Sequence, residues 1–368
     1  MTGSVPVVLS ESELKSILTL TERFTWNVAR PIIASLGLPT GRGREATNEK
    51  ILESLIDLKS KDRQKFDGIM ANVNDLIFGQ VVYGEKAIFS LTVDNSVIKT
   101  LNDRFSFQWN LMNQPSLLVD SILDDVQLQN AVKNQPELVN YSIQNTQSIL
   151  VFSSVRELVV REKIPPSALA QYKQFDEIIA KRKEKRQCFD VCILDSVTNK
   201  IHVLVDTNGN IIGDNVTFAK SNIIRELYNH VGYEFKSSEK DFYPLIEPIF
   251  KQNSLPYSKL SYKVFDLSFL TNEGTTHKEK KNVATKDLRD DLFNKEGIKA
   301  VGSIGLYRIG IRVDRNNPKL QLADNIELII PGTLRRHLGG SSCSPVNYAI
   351  LSKCISKDDF ETLTKLIL

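Results

Sequence analysis

At 368 residues the chain has room for about two or three domains and a sizeable core. Its 41% apolar content, with 18 glycines and 13 prolines, excludes a disordered or collagen-like chain, and apolar runs no longer than those at Ile149–Phe152 and Leu328–Ile330 exclude a helical membrane span. The formal charge of +3, from 47 basic and 44 acidic side chains, is too small to mark a generic nucleic-acid binder.

The distribution of charge says more than its sum. Lys and Arg against Asp and Glu stand at 10 to 10 in residues 1–78, 7 to 9 in 79–164 and 30 to 25 in 165–368. The basic excess lies in the last segment. Met1–Leu9 lacks the basic region of a signal peptide, so a cytoplasmic protein is expected, and the Asn, Lys and Ser content suits a bacterial or phage-related source. Four cysteines are too few for a disulfide framework, and Cys188 and Cys192, four apart, share one face of a strand as core residues. No cofactor or metal is expected.

Three segments emerge in chain order: a helical domain (1–78), a mixed α/β segment (79–164) and an α+β domain with a largely antiparallel sheet (165–368). Ser10 and Glu13 form a capping box ahead of Leu14, Ile17, Leu18, Phe24 and Val28 at helical spacing. Pro31 restarts the chain into a short helix closed by Gly37, and two further helices carry Ile51, Leu55 and Leu58, then Phe66, Met70, Val73 and Ile77. In the middle segment, Lys86–Asp94 and Ile149–Ser153 read as strands, Asn95–Phe105 and Ser116–Lys133 as helices.

Pro165-Pro166 is expected to open a helix bearing Leu169, Tyr172, Phe175, Ile178 and Ile179, which ends in the basic run Lys181–Arg186 as a linker or exposed helix end. Phe189–Asp195 and Ile201–Asp206 alternate across a polar turn and form a hairpin. After a helix around Ile223 and Leu227 come strands at Val264–Leu270, Leu306–Val313 and Asn325–Ile330, a helix over Thr285–Asn294 and a final helix capped by Ser356. Thr271–Asn282 offers no large apolar residue and reads as a mobile loop.

Three candidate sites follow. The Gly41–Arg44 loop has glycines that let a phosphate approach the backbone and Arg42 and Arg44 to attract it. The polar face of the last sheet carries Arg308 and Arg312, set against the apolar Tyr307, Ile309, Ile311 and Val313 on the other side. Phe189, Val191 and Ile193, then Val203 and Val205, and then Phe265, Leu267 and Phe269 are expected on that same apolar face. The turn Gly332–Gly340 holds Arg335, Arg336 and His337 between small residues, as an anion-binding or docking element.

Nucleic acid, or a protein bound to it, is therefore the expected partner. The contacts would come from Arg308 and Arg312, the run Lys181, Arg182, Lys183, Lys185 and Arg186, the loop pair Arg42 and Arg44, and the turn pair Arg335 and Arg336, in a non-catalytic role. One alternative is a metal-dependent nuclease using Asp190, Asp206 and Asp266. A pairing of Cys343 with His337 as nucleophile and base lacks a third, orienting group. The other alternative is an assembly subunit without nucleic-acid contact.

Overall fold

The structure, a computed structural model, describes residues 8–111, 117–165, 170–172, 174–207, 214–282, 286–315 and 324–368. The chain opens with four helices, α1 (Glu11–Arg23), α2 (Trp26–Ser35), α3 (Arg44–Lys61) and α4 (Arg63–Tyr83). The Ser10–Glu13 capping box starts α1, and Asp62 caps α4 by accepting from the Lys65 N–H. Pro31 lies inside α2 instead of ahead of it. The middle of the chain gives β1 (Lys86–Thr92), α5 (Asn95–Leu111), α6 (Asp125–Asn130), β2 (Glu137–Gln144) and β3 (Gln147–Ile164). It continues as β4 (Ile178–Asp195), β5 (Lys200–Asp206), α7 (Asp214–Val231), β6 (Ser238–Glu239), α8 (Ile246–Lys251), β7 (Lys263–Thr271) and β8 (Thr276–Lys280). The last part is α9 (Leu292–Val301), β9 (Ile304–Asp314), β10 (Asn325–Ile330), α10 (Leu334–Gly339), β11 (Ala349–Ser352) and α11 (Lys357–Thr364).

One antiparallel sheet runs through this α+β fold in the order β2-β3-β4-β5-β1-β11-β10-β9-β7-β8, with β6 beside β1. Strands from the middle and last segments share it. β1 lies near its centre, paired on one side with β5 and on the other with β11. Each face buries its own core. On one face Ile88, Val191, Leu204, Ile309, Leu328 and Leu351 pack with α1–α4, α8 and α11. On the other, Ala87, Phe89, Phe152, Cys192, Val203 and Val205 pack under α5 and α7. This second cover reaches only β1–β5. Over β7–β10 the same face is polar and carries Asp266, Ser268, Arg308, Arg312 and Glu327.

Several local expectations change. Val203 and Val205 face away from Val191, because β4 and β5 are buried on both sides and their inward periodicities are independent. Phe265 leaves the apolar face at a bulge between Val264 and Asp266. The stretch 271–282 is not a loop: Gly274, at φ +85°, closes a tight turn, and β8 pairs with β7 from Thr276 to Lys280. Its lack of large apolar residues is that of a charged edge strand, which discourages pairing with other chains.

The helix expected over residues 165–179 gives way to a short 3-10 turn at Ala170–Tyr172 and the start of β4; residues 166–169 and 173 lie outside the described residues. The basic run is thus neither linker nor helix end. It is strand, paired residue by residue with β3, which is far longer than Ile149–Ser153. The helix expected over 116–133 is two short pieces, a 3-10 turn at Leu118–Ser121 and α6. That expected over 285–294 is displaced onto α9, and residues 283–285 lie outside the described residues.

Candidate nucleic-acid interface

β3 and β4 are each 18 residues long and pair from Gln147–Asp195 to Ile164–Ile178, whereas β4 pairs with β5 only from Asp195 to Val191. Beyond that point the two strands leave the sheet as a two-stranded arm. From Glu157 to Ile164 it extends about 25 Å at strand rise. Residues 157–164 and 178–186 hold seven basic side chains against three acidic ones, an excess larger than the +3 of the whole chain.

Alternation sorts these charges by face. Arg161 pairs across the arm with Lys181, Val159 with Lys183, Glu157 with Lys185 and Lys163 with Ile179, so one face presents Arg161, Lys163, Lys181, Lys183 and Lys185 with Glu157 as its single acid. Arg182, Glu184 and Arg186 lie on the opposite face, where Glu184 bridges the two arginines. At the root of the basic face Lys185 donates to the carbonyls of Gln129 and Ala131 at the end of α6. Lys133 and Lys183 hold Glu157 below the usual carboxylate range. Further out, Lys163 pairs with Glu177, and Arg161 and Lys181 are exposed.

A buried ionic cluster explains why the arm separates where it does. The Phe189 N–H donates to Asp206 Oδ2 (2.9 Å) and the Asp206 N–H to Asp190 Oδ1 (2.9 Å), so side chains replace the next rungs of the β4–β5 ladder. Arg156 pairs with Asp190 and donates to the Asp206 carbonyl oxygen at 3.1 Å. Lys86 Nζ donates to the Phe189 carbonyl at 2.6 Å, and the Arg23 guanidinium lies 4.5 Å above the Phe189 ring. Burial pushes the pKa of Lys86 and of Arg23 down, with Asp206 opposing the shift, and pushes the Cys188 thiol up to about 12. For Arg156 burial works against the charge, yet Asp190 and Asp206 hold its pKa above the usual value.

Both Asp190 oxygens are engaged by this lock, and four strands separate Asp266 on β7 from Asp206 on β5 in the sheet. Among the described residues no group of three or more His, Cys, Asp or Glu side chains is placed to hold a metal ion.

The open polar face has a different character. Arg308 grips Asp266 through two nitrogens (3.0 and 2.9 Å). Arg312 donates to Glu327 (2.8 Å) and to the Lys281 carbonyl (3.0 Å) while lying 4.1 Å over the Phe265 ring. Gly310 makes this stack fit, since a Cβ there would come within 2.8 Å of the Asp266 Cβ and 3.1 Å of the Phe265 ring. Although burial raises the Glu327 pKa, hydrogen bonds from Lys353 and Arg312 leave it lowered overall. Both arginines do point away from the apolar core, but each already holds a carboxylate. Beside them a cavity of about 530 Å³ is bordered by Ser268 and by the exposed Lys278 and Lys280.

The two loop sites are largely self-satisfied. In the first, Thr47 Oγ1 accepts from the Gly41 N–H (2.8 Å) and donates to the Gly43 carbonyl (2.7 Å), and Arg44 donates to the Phe24 carbonyl at 3.2 Å. Gly41 is needed for its close approach to Ala46, where a Cβ would meet the carbonyl oxygen at 2.6 Å, and Arg42 and Arg44 are both exposed, Arg44 with its guanidinium engaged by the Phe24 carbonyl. In the second, Arg336 pairs with Asp241 (2.6 Å) over the Tyr243 ring, and Arg335 is exposed. His337 Nδ1 meets Tyr243 Oη at 2.7 Å, and Cys343 Sγ faces the Arg335 carbonyl at 3.4 Å, so each has a separate partner.

The arm's basic face also draws on two residues that sequence reading passed over, Arg161 and Lys163. The signal for them was the β-rich Leu158-Val159-Val160, which extends the Ile149–Ser153 strand toward the basic run. Neither a scan against known protein families nor a search of curated proteins gives a match for this chain.

Proposed function

We propose that the protein is a non-catalytic nucleic-acid-associated protein that lays the basic face of the β3–β4 arm along a phosphate backbone. The observation that carries this reading is the sorting of Arg161, Lys163, Lys181 and Lys183 onto one exposed side of a protruding ribbon, where among the described residues the acids are Glu157 at its root and Glu177, paired with Lys163, at its outer end. An intramolecular role is filled by Lys185, by Lys183 through Glu157 and by Lys163 through Glu177; among the described residues Arg161 and Lys181 have no such anchor. A two-stranded ribbon is also one of the shapes that nucleic-acid grooves admit. Arg308, Arg312 and Arg336 contribute less, because an anion would have to compete with Asp266, Glu327 and Asp241. The nuclease alternative has the weakest support, since Asp190 and Asp206 serve the lock at the arm's root.

Fluorescence anisotropy titrations of duplex DNA, single-stranded DNA and RNA over a range of salt test this reading. Each lost phosphate contact lowers the slope of log affinity against log salt by about 0.7 to 0.9. The triple variant Arg161→Ala/Lys181→Ala/Lys183→Ala should therefore weaken binding across sequences and flatten the slope by about 2 to 3. An unchanged slope removes the arm from the interface. If Arg308→Ala/Arg312→Ala flattens it instead, the interface moves to the open sheet face. Absence of wild-type binding at low salt overturns the proposal in favour of an assembly subunit.

A further inference from the structure

Past the last β3–β4 pair, Ile164–Ile178, the described residues of the arm include Tyr172 and Phe175, which are 42% and 52% exposed with ring centroids 6.2 Å apart and tilted by 48°. Val159 and Ile179, on the basic face behind them, are 59% and 48% exposed. Large apolar groups left this open contribute little to folding, and they stand at the end of a ribbon whose charge is complementary to a polyanion. Resting on the binding function proposed above, we infer that the arm's ligand is duplex DNA and that Tyr172 and Phe175 act as a wedge against a base step, bending the duplex.

The geometry favours a wedge over a stacking platform. Capturing a free base between two aromatic rings requires them to be parallel and separated by the thickness of the base. The tilted, mutually contacting rings of Tyr172 and Phe175 leave no such slot and form one apolar block. Ribbon proteins that place apolar side chains against a base step unstack it and kink the helix, while flanking basic residues hold the phosphates on either side. Here the basic residues sit on the face behind the tip, so backbone contact and wedge act in series along one element. Duplex RNA fits poorly, because its major groove is too deep and narrow for side chains to read.

End-labelled duplex DNA of about 30 base pairs, a length whose bending is measurable, separates this inference from the binding proposal by energy transfer and anisotropy in one titration. The full-length protein should raise transfer efficiency on saturation and bind duplex DNA more tightly than single-stranded DNA or duplex RNA. Tyr172→Ala/Phe175→Ala should abolish the rise in transfer yet weaken affinity less than about tenfold, since the lost contact is offset by the unstacking no longer required, and should keep the salt slope. Its melting temperature checks that the arm's root is intact. Binding without a change in transfer, a change that survives in the tip variant, or preference for single strands overturns the wedge while leaving the binding function standing. No binding by the wild type overturns both.

Discussion

His202 is a histidine taken out of water by the fold, so the charge it would carry in the unfolded chain below its ordinary pKa is resisted in the folded one. It sits on β5, 5% exposed, and its Nδ1 finds no hydrogen-bond partner among the described residues. Burial, reinforced by Lys200 and Lys240 against the opposing charge of Asp195, pulls its pKa down to about 4. Between pH about 6.5 and about 4 the unfolded chain therefore takes up a proton that the folded chain refuses, and stability falls as pH drops through that window. The full effect is about 3 kcal/mol. His202→Gln should be less sensitive: in urea unfolding at pH 7 and pH 4.5, the wild type should lose about 2 kcal/mol more than the variant. Equal losses would mean that His202 is hydrated or paired in solution. Lys86 illustrates the same physics held in check, because the Phe189 carbonyl and the nearby Asp206 and Asp190 keep a buried ammonium tolerable.

At the scale of elements, the arm should be separable from the core. Its outer residues are exposed, and the lock at Arg156, Asp190 and Asp206 closes the sheet behind it. Replacing residues 159–183 by a short turn should leave the urea-unfolding free energy within about 1 kcal/mol of the parent while abolishing nucleic-acid binding. A large loss of stability would instead make the arm part of the core. This element was also the least legible in the sequence. Seven of the nine residues Ile178–Arg186 are strong helix formers, three Lys, two Arg, one Ala and one Glu, and only pairing with a partner that begins at Gln147 makes the segment a strand. β8 was hidden for a related reason, since Thr-His-Lys-Glu-Lys has no buried face to announce itself. By contrast α1, α4, α7 and the β4–β5 hairpin bury a periodic face or carry a local cap, and both signals are written within a few residues. Of the candidate site, the basic run was visible as charge; its partner strand, and so its basic face, was not.

For the whole molecule, the position of β1 decides what can fold alone. The 7-residue strand joins β5 to β11, and its two faces contribute to both cores. A fragment spanning residues 165–368 keeps the basic excess but loses β1, β2 and β3, leaving β5 and β11 without the strand between them. It should show no cooperative thermal unfolding by circular dichroism and a poorly dispersed amide spectrum; a well-dispersed spectrum would establish an autonomous C-terminal unit. The same placement bears on synthesis at the ribosome. Strand β1 leaves the exit tunnel early, whereas β11, its neighbour across the sheet, is separated from it by more than 250 residues of chain. Until that last strand arrives, the Lys86–Ile88 part of one edge of β1 is an open template. Slow elongation, premature termination or a frameshift near the 3′ end of the message should therefore yield aggregation-prone species, and a holdase chaperone that shields this edge would raise the yield of intact protein.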